Sequence, residues 1–295
     1  MAAEVGLSGA QPVLTSRDGA RLHWRAWPHP TPRLAVAVAH GLGDHSGRYE
    51  RLARALNRRG ISCYAVDLRG AGRSPGRRGH VSHWQQWVED YAGFLELLGK
   101  EASGLEVVPL GHSFGGVVVA SALIGGAIAP QRFVLCNPAF RPALRAPSWK
   151  LQLGRRASSL WPALSMSNQM DPALISRDPE QVAAYREDPL VHDRISSRTF
   201  TEWMAASEEA LDRANEITVP LLLILSDGDR IVDPGGGREF AERVGGPRTV
   251  RSYRGRYHEP FNDLGAEEVF ADLATWTGTC IVCGQHIDTR PRAPT

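Results

Sequence analysis

Residues 105–128 read LEVVPLGHSFGGVVVASALIGGAI, and this stretch decides the fold. A short apolar run, 105–110, leads into Gly111-His112-Ser113-Phe114-Gly115, a match to G-x-S-x-G, and a small-residue stretch over 114–128 has the composition of a buried helix. A strand that turns sharply into a helix needs glycines on both sides of the serine. A Cβ there would collide with the neighbouring strand or helix while the serine is held strained and exposed. Gly116 and Ala120 fit the same crowding.

Working outward, apolar runs alternate with amphipathic stretches. Upstream lie a strand over 34–39, a helix near 49–58, a strand over 61–66 and a helix near 84–98. Downstream lie a strand over 132–136, an amphipathic helix around 198–215, a buried strand over 219–225, a helix around 237–244, a strand over 249–253 and a last helix over 267–276. That alternation predicts an α/β fold with a mostly parallel central sheet and crossover helices. Segments 12–16 and 21–27 flank Asp18-Gly19, a tight hairpin signal, so the sheet is expected to open antiparallel. Between Phe140 and Val191 the rhythm breaks. Proline and serine are frequent there, no strand pattern appears, and the clusters Leu160, Trp161, Leu164 and Met166 suggest small helices. The expected division is a core of residues 1–140 and 192–278, a cap insertion over 141–191, and a poorly ordered tail over 279–295. No internal repeat of fixed period is visible.

The chain has 295 residues, 42% hydrophobic and 22% charged, which suits a globular domain large enough to bury a core. Thirty-four basic and 32 acidic residues leave a formal charge of +2, so no nucleic-acid partner is expected. Two arginine groups, Arg73 with Arg77 and Arg78, and Arg155 with Arg156, read as solvated loops. The start, MAAEVGLSGAQP, lacks the pattern of a secretory signal, and no run of about eighteen apolar residues occurs. A cytoplasmic protein, at most peripheral to membranes, is therefore expected. Cys63 and Cys136 sit inside apolar strand-like runs and are expected to be buried. Cys280, Cys283 and His286 form a C-x-x-C-x-x-H cluster, but a closed zinc site needs four ligands and no second pair stands nearby. No metal is expected there.

A five-residue pattern arises by chance, so supporting residues decide whether Ser113 does chemistry. A hydroxyl is a poor nucleophile at neutral pH and needs a base; in the α/β-hydrolase fold the order along the chain is Ser, acid, His. Of ten histidines, only His258 and His286 follow the strand that can carry the acid, and His286 lies beyond the last helix. His258, just after the strand over 249–253, is the expected base. Ser226-Asp227-Gly228-Asp229 offers two carboxylates in one loop: Asp229 is the choice, Asp227 the alternative, and Asp233 the expected cap of the next helix. His40-Gly41-Leu42-Gly43 follows the strand over 34–39 directly, so the Leu42 and Phe114 amides are the expected oxyanion donors, with His40 orienting the loop by hydrogen bonding.

Together these segments resemble the monoacylglycerol lipase and lysophospholipase subgroup of α/β-hydrolases, the serine aminopeptidase S33-like hydrolases. HGLGDHSGRYE over 40–50 resembles the oxyanion segment, DLRGAGRS over 67–74 the D-x-x-G-x-G-x-S loop, GHSFGG the nucleophile elbow, SDGDRIVD the acid loop and YHEPFND the histidine loop. In the insertion, Ile175-Ser176-Arg177-Asp178 and Tyr185 with Asp188-Pro189-Leu190 resemble the cap. The resemblance implies a triad of Ser113, Asp229 and His258, oxyanion donors at Leu42 and Phe114, and hydrolysis of monoacylglycerol to fatty acid and glycerol without metal or organic cofactor. It also implies a cap that supplies an apolar tunnel and touches lipid aggregates. Leu42 stands where the animal enzymes usually have a small residue, and Val232 where they have cysteine. Lysophospholipids, short esters and N-terminal peptides are alternative substrates, and a non-catalytic binding protein on the same fold is the alternative of another class.

Overall fold

The computed structural model describes residues 12–101, 104–143, 156 and 158–278. Residues 144–155 and 157 of the expected cap, Arg155 among them, and the tail with Cys280, Cys283 and His286 lie outside the described residues.

Val13–Thr15 (β1) and Arg21–Trp27 (β2) form the antiparallel opening, joined through a turn in which Gly19 takes φ +86°. There follow Leu34–Ala39 (β3), Glu50–Asn57 (α1), Ile61–Val66 (β4), Gln85–Glu101 (α2), Val107–His112 (β5), Phe114–Ile124 (α3) and Phe133–Cys136 (β6). The insertion holds Ser165–Ser167 (β7) and Pro179–Glu187 (α4), and the chain returns through Arg194–Ser196 (β8). Ser197–Asp212 (α5), Leu221–Ser226 (β9), Pro234–Arg243 (α6), Arg248–Tyr253 (β10) and Ala266–Gly278 (α7) complete it.

The main sheet runs β1-β2-β4-β3-β5-β6-β9-β10, parallel from β4 onward. Every residue of β3 and of β9 is buried. That is why LAVAVA and LLLILS are unbroken apolar runs: both faces of a parallel sheet are covered. Leu52 of α1 and Phe270 of α7 share one core, while Trp87, Val117 and Phe240 from α2, α3 and α6 share the other. From β3 the chain moves first to β4 on one side and then to β5 on the other, so the strand order reverses at β3. A crevice opens at the carboxyl ends of the strands at such a switch point, and here it is bordered by the loops after β3 and β5.

Three features differ from the sequence expectation. α3 stops at Ile124 rather than 128, because Gly125-Gly126 follows and Gly126 takes φ +67°. Met166, expected in a small helix, lies in β7, which pairs antiparallel with β8. A three-residue strand on the surface has too little alternation to be read from sequence. β8 itself lies past residue 191, so the insertion is tied back to the chain beyond the expected boundary. Asp233 caps α6 as expected, accepting the Gly235 amide, and Cys63 and Cys136 are buried. Among the described residues no helix is long and apolar enough to cross a membrane.

Candidate active site

Ser113 lies between β5 and α3 with φ +54° and ψ −121°, a strained backbone for a residue with a side chain. The turn is crowded as the glycine pattern requires. A Cβ on Gly111 would stand 2.6 Å from the Gly115 carbonyl oxygen, and one on Gly115 would overlap the Ala39 carbonyl. The Ser113 amide donates to Cys136 O at 3.0 Å, and its carbonyl accepts from Gly116 at 2.9 Å and Ala139 at 3.0 Å, so the main chain is held from three sides.

Asp229 and His258 meet: the Nδ1–H of His258 donates to Asp229 Oδ2 at 2.7 Å, both side chains buried. Asp229 Oδ1 accepts the amides of Ile231 at 2.8 Å and Val232 at 3.1 Å, which fixes the carboxylate in its loop. The other carboxylate, Asp227, is taken by Arg238 at 2.7 Å. Burial pushes the His258 imidazole down, but the charge and hydrogen bond of Asp229, with Glu259 and Asp44 adding to them, outweigh it and hold its pKa above the ordinary 6.5. Among the described residues Ser113 Oγ makes no hydrogen bond to His258.

The loop after β3 touches Ser113: a Cβ on Gly41 would lie 3.3 Å from Ser113 Cβ and 3.7 Å from its Oγ. His40 donates from Nδ1 to Gly41 O at 2.7 Å and accepts the Leu68 amide on Nε2 at 2.9 Å, which requires the neutral ring, and burial lowers its pKa accordingly. On the far side of the loop, Gly43 takes φ +75°, a Cβ there would overlap His192 O, and its carbonyl accepts the His192 amide at 2.9 Å. The loop is thus stapled at Gly41 and Gly43, on either side of Leu42. Among the described residues no hydrogen bond uses the Leu42 or Phe114 amide. Phe114 opens α3, where the first N–H groups have no partner within the helix.

Sequence reasoning missed a buried polar network behind these residues. His112 donates from Nε2 to the His258 carbonyl at 3.1 Å, and its Nδ1 is 2.9 Å from Tyr49 Oη, which also lies 3.1 Å from Asp44 Oδ2. Asn137 Nδ2 donates to the same His258 carbonyl at 2.8 Å. One sequence signal lies here: a polar residue directly after the apolar strand FVLC. The residues of the insertion that resemble the subgroup fasten this segment to the same edge. Ile175 O accepts the Glu259 amide at 2.8 Å, Arg177 pairs with Asp263 at 2.9 Å, and Asp188 Oδ2 lies 2.8 Å from His45 Nε2. Among the described residues no group of three or more His, Cys, Asp or Glu is placed to hold a metal ion.

Known proteins share this plan. The family model described as serine aminopeptidase, S33, matches residues 30–265. The chain is 33% identical over 274 residues to an uncharacterized abhydrolase domain-containing protein of Dictyostelium discoideum, covering 91% of this chain but only 29% of that longer protein. It is 32% identical over 264 residues to the monoacylglycerol lipase of Mycolicibacterium smegmatis, covering 88% of this chain and 93% of the relative. The crystal structure of Paleococcus ferrophilus monoacylglycerol lipase matches with a TM-score of 0.77 and 35% identity, over 86% of this chain and 97% of that one. Strand order, elbow and family match across most of its length agree, and the chain belongs to the serine aminopeptidase S33 family of α/β-hydrolases.

Proposed function

We propose that the protein is a serine carboxylic-ester hydrolase that cleaves monoacylglycerol to fatty acid and glycerol, with Ser113, Asp229 and His258 as its triad. The observation that carries the reading is the 2.7 Å Asp229–His258 bond at the strand edge that also bears the strained Ser113. Identity of 32% over 88% of this chain and 93% of a relative named monoacylglycerol lipase supports the substrate class.

In this reading Ser113 Oγ attacks the ester carbonyl carbon while His258 Nε2 takes its proton, and the Leu42 and Phe114 amides receive the negative oxygen. The carbon–oxygen bond to glycerol then breaks, and the imidazolium returns the proton to the departing alkoxide. Water, deprotonated by His258, attacks the acyl ester and releases fatty acid and Ser113. Asp229 holds the imidazole tautomer and stabilises the imidazolium without taking the proton. No step calls on a metal or an organic cofactor.

Residues 141–191 act as the cap over a core of 1–140 and 192–278, tied to that core where β7 pairs with β8 at Arg194–Ser196. Leu160 at 68% and Trp161 at 64% exposure, with Leu164 and Met166, support transient contact between the cap and lipid aggregates. Ser113→Ala tests the assignment: the folded variant is expected to lose turnover of monoacylglycerols and labelling by a fluorophosphonate probe. Retained turnover, or labelling of another serine in the unsubstituted protein, overturns it.

A further inference from the structure

Asn137 follows β6 directly, is 1% exposed, and holds a left-handed backbone with φ +40°. Asparagine tolerates this region better than most residues with a side chain, yet the conformation still carries a cost. Four hydrogen bonds hold it there. Its N–H donates to Ile224 O at 2.9 Å, Oδ1 accepts the Ser226 amide at 2.8 Å, and Nδ2 donates to Ser226 Oγ at 3.0 Å and to the His258 carbonyl at 2.8 Å. Ser226 ends β9, three residues before Asp229, and the residue before Asn137, Cys136, accepts the Ser113 amide. The carboxamide therefore joins the elements that carry acid and histidine, and the peptide group just before it holds the serine.

The His258 carbonyl receives a second donor, His112 Nε2, at 3.1 Å, whereas the His258 amide reaches Leu174 O only at 3.5 Å. Two donors on neighbouring strand ends fix the peptide plane after His258 and so aim its Cα–Cβ bond. The ring must meet Asp229 on one side and the serine hydroxyl on the other, a requirement with little angular tolerance. A buried carboxamide is costly unless its groups are bonded, and both Nδ2 hydrogens and the Oδ1 are used.

We propose that Asn137 is a positioning residue that aims the His258 imidazole by clamping its backbone carbonyl, with His112 as the second jaw. The proposal rests on His258 being the base. Asn137→Gly removes the clamp while keeping the left-handed backbone and the main-chain bond to Ile224. Asn137→Asp keeps the shape and the bond from the Ser226 amide but, as a carboxylate, has no proton to give the His258 carbonyl.

The test measures kcat and KM on a soluble monoacylglycerol, thermal midpoint, and the downfield NMR signal of the His258 Nδ1–H facing Asp229. Both variants are expected to lose roughly 10- to 100-fold in kcat, with KM within about twofold and the downfield signal broadened or lost. A folded Asn137→Gly protein with unchanged kcat and an intact signal overturns the proposal, as does a loss confined to KM. Should Asn137→Gly not fold, Asn137→Asp decides by the same readouts. An unsubstituted protein that neither turns over esters nor reacts with the fluorophosphonate overturns the triad reading instead, which separates the two failures.

Discussion

Arg48 Nη2 donates to Glu259 Oε2 at 2.5 Å, and both side chains are 7% exposed. Arg48 Nε stands 3.2 Å from Asp44 Oδ1, close enough for attraction between the charges but out of line for a hydrogen bond, and the guanidinium lies 4.6 Å from the centre of the Tyr185 ring. One cation thus ties the loop after β3, the loop that carries His258 and helix α4. Burial opposes its charge, and the Glu259 and Asp44 carboxylates overcome that, keeping it firmly ionised.

Removing one partner of a buried pair leaves the other charge without compensation. Arg48→Met strands two carboxylates and is expected to lower unfolding free energy by about 3–5 kcal/mol in urea titrations. Glu259→Gln, which still accepts from Arg48 and Asn262, is expected to cost less. Equal losses for the two variants contradict the account.

Ser113 stores strain, and a glycine in its place releases it. The backbone at φ +54°, ψ −121° costs a side-chain-bearing residue about 1–3 kcal/mol, part of which glycine gives back through its freer unfolded chain. Ser113→Gly is therefore expected to be more stable than Ser113→Ala by about 1 kcal/mol, with both inactive. Calorimetry of the two checks the order, and a more stable alanine variant rules the strain out.

How much of this was legible follows from what the interactions depend on. The parallel strands could be read because burial on both faces makes each a continuous apolar run, as in Leu221–Ser226. Ser113 and Asp229 could be singled out because each stands closely after such a run, whereas His258 follows the half-buried edge strand Arg248–Tyr253 and is picked out by chain order. The difference in surroundings between Asp227 and Asp229, the residue chosen from sequence, is not legible in the local pattern. It turns on Arg238, eleven residues away, reaching Asp227, and on the Ile231 and Val232 amides turning toward Asp229. Asn137 escaped for the same reason, since its partners at Ser226 and His258 are 89 and 121 residues distant.

His112 makes folding sensitive to acid. Burial first, and then the charge of His258, lowers its pKa from 6.5 to about 4. Below about 6.5 the unfolded chain takes up this proton and the folded one does not until about 4, so the unfolded state holds more protons and stability falls as pH falls through that window. The slope for one such group is about 1.4 kcal/mol per pH unit. His192, lowered to about 4 by burial and then by Arg78, acts in the same direction. Urea titrations from neutral pH to about pH 5 are expected to show the loss, and His112→Gln, whose amide still donates to the His258 carbonyl, is expected to flatten it. An unchanged slope assigns the acid sensitivity elsewhere.

The Asp229–His258 pair predicts a pH profile in which a weaker enzyme works at lower pH. The base form of His258 is neutral, and its pKa stands above 6.5 because the Asp229 charge and hydrogen bond outweigh burial. kcat/KM is therefore expected to rise with pH along a limb centred above 6.5. Asp229→Asn removes the charge, burial then dominates, and the limb moves to lower pH. At the same time the amide offers Nδ1 an N–H where a carboxylate accepted one, which favours the wrong tautomer and is expected to cut kcat by roughly 10³- to 10⁴-fold. Asp227→Asn supplies the control, because Asp227 is held by Arg238 at 2.7 Å and makes no contact with His258 among the described residues. Its limb and kcat are expected to stay with the unsubstituted protein. A limb that moves with Asp227 and not with Asp229 would transfer the acid's role to the neighbouring carboxylate, whatever the distance between Asp229 and His258.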